Sequence, residues 1–497
     1  MMPHHVLGLM LPIQKRLAES KLASPRMWEP ASDAYISSCI LPNWYKFITG
    51  LTVLCIKRLS ISSVSIMKAL VLTAGEGQRL RPLTSNRSKS MLMIAGRPVL
   101  QYIIDSLVAN DIHDIVMVVG HGREELIDHF QMGDGEDIRI SYVIQHKQEG
   151  AENAILTAKE ELKSEEEFLL INGDVLVEPE MVTRTLSNHE TTGSNVTMLV
   201  TLVSNPEQFG TVKIGSDGIV QKLVEKGGPD RYLSNYAVAG VSVFSKEILG
   251  LLEKHGKMET AFEELIGKGE KVSAAVWEKE WAEFTWPWDI LNANRVVMDR
   301  QLRGKGSFIA ESAEIHPSVV IEGSVFIDEG VIVRPNTTLV GPIYLGKRVY
   351  IGNNSLIRDY CSLCDGVRIG YAVEVRNSMV FERVNVGRMT YLADSIVGAD
   401  TCIEAGAQLW NWRPGGEPLF LESGDERVQV PSRKFGAIIG DNVVIGVNAS
   451  IYPATRIGEN SIISAGCVIE DDIPPNSEVT MQQKLKISGR KNVKGCD

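Results

Sequence analysis

Between Lys68 and about Arg300, short continuous apolar runs alternate with segments of helical period. The runs KALVLTA, from Lys68, and DIVMVVG, from Asp114 to Gly120, read as strands buried on both faces, because neither alternates apolar with polar residues. RPVLQYIIDSLVAND places Val99, Ile103, Leu107 and Val108 on one side of a helix, and REELIDHF reads as another. IRISYVIQ and EFLLINGD follow as strands. This alternation predicts an α/β domain over residues 67–300, with a Rossmann-like, mostly parallel sheet covered by helices on both faces.

Beyond residue 300 the period changes. Every sixth residue is apolar from Ile309 through Ile315, Ile321, Ile327, Val333, Leu339, Leu345, Ile351, Ile357, Leu363, Ile369 and Val375 to Phe381. Compact residues stand two places before the later ones, at Ile343, Val349, Ser355, Cys361, Val367 and Val373. After a slip the period resumes at Tyr391, Val397, Ile403 and Leu409, and it returns from Ile439 to Ile469. An α-helix cannot bring every sixth residue to one side, whereas a triangular coil with one short strand per hexad points each of them inward. The pattern predicts a left-handed parallel β-helix of hexapeptide repeats over residues 301–481. Residues 410–436 break the hexads with Pro414, Gly415, Gly416, Pro418 and Pro431, and read as a loop extruded from the coil.

Residues 1–66 follow neither pattern. Their most apolar run, Phe47 to Ile56, lies between Lys46 and Lys57. It is far short of the ~18–20 residues needed to span a bilayer. No signal-peptide core with a small-residue cleavage site is evident, so the segment reads as a poorly ordered extension or as one that is not made, with Met67 the start. Residues 482–497 form a basic tail, read as a solvated terminus. The net charge of -11 argues against a nucleic-acid partner, since nothing offsets phosphate repulsion overall. Seven cysteines in 497 residues make no disulfide framework. Cys361 and Cys364 form a CxxC, but Cys361 falls on an inward position and Cys364 on a corner, so packing accounts for both. The expectation is a cytoplasmic protein with no membrane partner.

The stretch LTAGEGQRLRPLTSNRSKS follows the first strand, at the carboxyl edge of the sheet where α/β proteins bind ligands. Glycines at 75 and 77 let backbone N–H groups approach phosphate oxygens, and Arg79, Arg81, Arg87 and Lys89 offer compensating charge. No GK[ST] follows, so this is not a Walker A loop, and Leu80 replaces the third glycine of a dinucleotide fingerprint.

These residues resemble the GxGxRLxPxT…PK signature of sugar-1-phosphate nucleotidyltransferases, with Gly75, Gly77, Arg79, Leu80, Pro82, Thr84 and Lys89 matching and Ser88 in place of the proline. QHKQEGAENA resembles the family's base-binding segment, with Gln145 and Gly150 matching and Ala151 in the threonine position. NGD at Asn172–Asp174 resembles its metal-binding turn. FGTVKI, VEK and SNYAVAGVSVF resemble its sugar-binding strands, carrying Gly210, Glu225, Lys226 and Gly240. The last is closer to thymidylyl- and uridylyltransferases acting on glucose 1-phosphate than to the bacterial N-acetylglucosamine enzyme, which has an asparagine where Val238 stands. WAEFTWPWDILNAN puts Glu283 in the place of the family's last metal-binding aspartate, with Asp289 in reserve. The resemblance thus implies Arg79 and Lys89 as catalytic residues acting on a nucleoside triphosphate. It implies Thr73, Ala74, Gly75, Gly77, Gln145, Gly150, Gly210, Glu225, Lys226 and Gly240 as substrate contacts, and Asp174 and Glu283 as ligands of Mg²⁺. The implied reaction is attack of a sugar 1-phosphate on UTP or dTTP, with release of pyrophosphate.

A β-helix behind such a domain is similar to the bifunctional proteins that also acetylate glucosamine 1-phosphate from acetyl-CoA, and to their archaeal relatives. The acetyltransferase signature of that group has counterparts here in Tyr391, Asp394, Asn411 and Lys434, but Arg388 stands where the catalytic histidine belongs. An arginine with a pKa above ~12 cannot serve as base at neutral pH. The expectation is therefore a β-helix that assembles the protein as a homotrimer or higher homo-oligomer. The remaining alternatives are a retained acetyltransferase and a non-catalytic regulatory subunit.

Overall fold

The computed structural model describes residues 67–131, 138–226 and 231–484. The expectations for residues 1–66 and for most of the basic tail fall outside the described residues. Nine strands form the first sheet: β1 (Lys68–Leu72), β2 (Asp114–Val119), β3 (Arg139–Ile144), β4 (Glu167–Asn172), β5 (Val196–Leu202), β6 (Thr211–Ile214), β7 (Val220–Val224), β8 (Tyr236–Ser245) and β9 (Val272–Trp277). Their main order is β9-β5-β8-β4-β1-β2-β3, with β6 and β7 a hairpin alongside β8. The strands β4, β1, β2 and β3 are mutually parallel, and β8 runs antiparallel to both its neighbours.

Alternate residues of β1 feed two cores. Ala69 and Val71 pack with Leu100, Ile103 and Leu107 of the helix Val99–Val108, while Leu70 packs with Ile155, Ile248 and Phe262 on the other face. A strand covered on both sides needs apolar residues at every position, which is why KALVL shows no alternation.

The C-terminal region is a left-handed parallel β-helix made of three long sheets, each with successive coils paired in parallel. Its interior holds the hexad residues from Ile327 to Val375, each essentially inaccessible to solvent. In the first coil Ile309 remains 44% exposed, and Ile315 and Ile321 are partly buried. Two hexad assignments are corrected. One turn closes a residue early, so that Leu363 pairs with Val380 and it is Val380, not Phe381, that enters the core. Leu392 is likewise the inward residue, and Tyr391 faces out from the strand Tyr391–Ala393. Cys361 and Cys364 are both buried, and burial pushes both thiols up, Cys361 to about 12.

Residues 410–436 leave the coil between the paired strands Ile396–Val397 and Ile438–Ile439, and fold as an antiparallel hairpin of Phe420–Ser423 against Glu426–Gln429. The sheet domain rests on the β-helix through polar contacts. Asn294 donates to the Tyr360 carbonyl (2.9 Å), and Tyr360 Oη donates to Asp299 (2.9 Å). Arg87 Nη2 donates to both oxygens of Asp441, at 3.0 and 3.1 Å, with its guanidinium 5.1 Å from the Phe381 ring centre. Both charged groups are buried. Arg87 therefore does not supply charge to phosphate as expected: it holds the phosphate loop to the β-helix. Among the described residues no helix is long and apolar enough to cross a membrane.

Candidate active site

The loop after β1 begins with Thr73, buried and hydrogen-bonded to the Val118 carbonyl through both its backbone N–H (2.9 Å) and its hydroxyl (2.8 Å). These bonds tie the start of the loop to β2. Gly77 has φ of 61°, and a Cβ there would stand 3.1 Å from the Thr84 methyl, so glycine answers both the left-handed backbone and the crowding. Thr84 closes the turn by donating to the Gly77 carbonyl (2.8 Å). Under this loop lies a cavity of about 300 Å³ lined by Thr73, Ala74, Gly75, Gly77, Lys89, Gln145, Gly150, Ala151 and Asp174. Gln145 directs its amide N–H groups to Asn153 (2.8 Å) and the Gly150 carbonyl (3.3 Å), which fixes the floor of the cavity.

A second cavity of about 350 Å³ adjoins it, with Ala151 and Asn172 lining both. Gly210, Glu225, Lys226, Gly240 and Glu283 face the second cavity, against a wall that includes Leu170, Met198 and Phe262. Gly240 sits where the pairing of β8 with β5 shifts register, at φ of 79°. A side chain there would press to 2.7 Å from Val175, so glycine lets the strand pass close over the NGD turn. The Glu225 carboxyl is pushed up to about 7 by burial, with the hydrogen bond and charge of Glu152 adding to the effect.

Asp174 and Glu283 stand where the cavities meet. Their segments are paired: Val175 bridges to Glu283, and Phe284 N–H donates to the Asp174 carbonyl at 2.9 Å. Lys89 Nζ donates to Asp174 Oδ2 at 2.6 Å. The Glu283 carboxyl is pushed up to about 7, first by burial and then by the charge of Asp174, with Lys89 opposing. Two oxygen-donor side chains this close, the charge of one helping to raise the pKa of the other, fit a hard divalent cation, whose charge would replace the Glu283 proton. Asp289 has another task. Its Oδ2 accepts from Trp286 N–H (2.7 Å) and Thr285 N–H (2.9 Å), capping the helix Pro287–Gln301.

Arg79, on the short 3₁₀ turn Gln78–Leu80, lies over the Trp286 ring at 5.6 Å and pairs with Glu426 of the inserted hairpin at 2.7 Å. Sequence reading passed over Gln148 and Glu426. Gln148 donates to the Ala74 carbonyl (2.7 Å) and lines the first cavity. Its only signal was its place in the quoted QHKQEGAENA segment, and Glu426 gave none.

Of the acetyltransferase-like residues of the β-helix, Asp394 and Asn411 are brought together, and Arg388 lies apart from them. Asp394 is buried and accepts from Asn377 and Asn411, both at 2.5 Å, with Arg376 at 3.8 Å. Arg388 sits at the opposite end of the strand Tyr391–Ala393 from Asp394, its guanidinium 5.8 Å from the Tyr371 ring. Lys434 is exposed and precedes Phe435, whose N–H donates to the Asn411 carbonyl.

A cavity under a glycine loop, a second cavity beside it, and Asp174 on the wall of one and Glu283 on the wall of the other are an arrangement that fits a nucleotidyltransferase. Residues 68–297 match the nucleotidyl transferase family, and residues 436–471 match the bacterial transferase hexapeptide (six repeats). The bifunctional protein GlmU of Methanococcus maripaludis is 34% identical over 433 residues, covering 86% of this chain and 100% of that protein. A bifunctional sugar-1-phosphate nucleotidylyltransferase/acetyltransferase of Sulfurisphaera tokodaii is 31% identical, covering 82% and 98%. A UDP-glucose pyrophosphorylase from Acinetobacter baumannii is 21% identical with a TM-score of 0.42, covering 47% of this chain and 94% of that one. The chain belongs to the sugar-1-phosphate nucleotidyltransferases that carry a C-terminal hexapeptide β-helix, the family of the archaeal GlmU-type proteins.

Proposed function

We propose that the first cavity takes UTP or dTTP, the second takes glucose 1-phosphate or N-acetylglucosamine 1-phosphate, and the two react to give a nucleotide sugar and pyrophosphate. The observation that carries this reading is the junction itself, where Asp174 lines one cavity and Glu283 the other. The nucleophile is already an anion, so no protein base or covalent intermediate is required. What the reaction needs is two phosphates held in line against their repulsion. Lys89 and Arg79 would bind the triphosphate and Lys226 the sugar phosphate. Asp174 and Glu283 would hold Mg²⁺, which when bound supplies charge for the developing pentavalent phosphate. Burial and the Arg79 charge push the Lys226 ammonium down, so an incoming phosphate would favour its charged form.

A panel of sugar phosphates against nucleoside triphosphates, read by pyrophosphate release with and without a chelator, tests the reading. Release with at least one pair, lost on chelation, is expected. No release with any pair would favour the regulatory-subunit reading.

The names of the relatives raise a second activity, acetyl transfer from acetyl-CoA to glucosamine 1-phosphate. With Arg388 turned onto Tyr371, we expect at most a trace rate, since a general base typically contributes ~10²–10⁴-fold. Arg388→His should raise it from background. A wild-type acetylation rate matching pyrophosphate release would refute this expectation. The exposed faces of the β-helix suit a homotrimer or higher homo-oligomer, checked by sedimentation.

A further inference from the structure

We propose that the hairpin Phe420–Ser423/Glu426–Gln429 is an autoinhibitory strap, in which the Glu426 carboxylate holds the Arg79 guanidinium that the nucleotide's triphosphate must take. The proposal rests on the reading above that Arg79 binds the triphosphate.

The strap is built in rather than loose. Leu419, Leu421 and Val430 are buried, and Val430 N–H donates to the Leu419 carbonyl at 2.8 Å. The chain returning to the coil is also fixed, with Phe435 buried and edge-on to Trp288 at 6.3 Å between ring centres. Trp288 in turn stacks on Trp286, the ring beneath Arg79. Arg456 of the β-helix ties hairpin and phosphate loop together, donating to the carbonyls of Glu422 and Arg79.

At the turn of this hairpin Glu426 Oε2 accepts from Arg79 Nε at 2.8 Å and lies 2.7 Å from Nη2. That is one of the two forked edges with which a guanidinium engages a phosphate. The carboxylate's charge also reaches Lys226, where it opposes the fall in pKa caused by burial and by Arg79. Glu426 thus stands among the cations of the site in the manner of a phosphate oxygen. A triphosphate entering beside it meets like charge, and so must break the ion pair to reach Arg79. The pair is more than a third exposed on both sides, at 37% and 40%, so breaking it carries only a modest penalty and the strap is a graded brake rather than a lock. Because its base is rooted in the β-helix, anything that shifts the hairpin would alter nucleotide affinity first, through Arg79.

The test compares the full chain with Glu426→Gln and Glu426→Ala in pyrophosphate-release kinetics at low and high ionic strength. The expected result at low salt is a KM for the triphosphate lower by about threefold to tenfold, with kcat unchanged and a smaller change in the KM for the sugar phosphate. The gap between wild type and variant should shrink at high salt, as the ion pair is screened. If Glu426 instead orients Arg79 for catalysis, the variants lose kcat and gain no affinity, and the proposal is overturned. An unchanged triphosphate KM overturns it equally. Direct titration of UTP and dTTP with divalent cation, in the absence of sugar phosphate, gives a readout independent of turnover. Tighter binding by Glu426→Gln upholds the strap even if no sugar–nucleotide pair reacts, and equal binding rejects it.

Discussion

Two sets of carboxylates in this molecule are treated in opposite ways. Asp174 lines one cavity and Glu283 the other, with Lys89 the close cation on Asp174, and burial, then the charge of Asp174, push the Glu283 carboxyl up to about 7. Asp441, Asp394 and Asp289 are satisfied from within the fold. Asp441 accepts from Arg87 and from Ala399 N–H, Asp394 takes two asparagine amides, and Asp289 caps a helix. The difference is company. A carboxylate set singly among donors of the fold stabilises the structure, while two placed beside one another fit a cation.

The sharpest way to break this contrast is Asp174→Asn, which removes charge from the junction and leaves shape intact. A fall in kcat of about 10²–10³-fold is expected, with Glu283→Gln acting alike, measured by pyrophosphate release at saturating substrates. Asp441→Ala should act on stability instead. It leaves the buried Arg87 guanidinium without its counter-charge, at a cost of about 3–5 kcal/mol in denaturant unfolding. Retained stability there would show that the contact between sheet domain and β-helix does not depend on this pair.

Asp289→Asn is expected to weaken the cap of the helix Pro287–Gln301 by about 1 kcal/mol, seen as a small fall in Tm, with kcat kept. A catalytically dead but folded Asp289→Asn would mean that Asp289, rather than Glu283, binds the cation. The smallest effect concerns the second cavity. Because the Glu225 carboxyl is raised to about 7 in the fold, its contribution to stability is present below the unfolded value of about 4.5 and is lost as pH rises through about 7. Glu225→Gln should flatten the dependence of Tm on pH across that window, and equal slopes would argue against a shared proton with Glu152.

Much of this was legible in the residues because local chemistry dictates it. Continuous apolar runs marked strands covered on both faces, and an inward residue every sixth position marked the triangular coil from Ile327 to Val375. Legibility failed where a one-residue shortening of the coil fell beside another apolar side chain. Phe381 satisfied the period by composition while Val380 filled the core, and Phe381 instead supports Arg87 from outside. It failed again where a partner is remote in sequence. Nothing near Arg87 announces Asp441, and nothing near Arg79 announces Glu426, because those pairings exist only once the phosphate loop rests on the β-helix. Asp174 and Glu283 were named because NGD and the WAEF segment resemble a family signature, and the fold pairs their segments. The task of Asp289 was not, because a cap is a matter of backbone geometry.

The most direct measurement is pyrophosphate release by the wild type and by Asp174→Asn with the same sugar phosphate, nucleotide and divalent cation, together with titration of the sugar phosphate into each protein. Release by the wild type that needs both substrates and the cation, and that nearly vanishes in the variant while sugar-phosphate binding persists, is the predicted result. Undiminished release by Asp174→Asn would contradict the assignment of the junction as the place where the two phosphates meet.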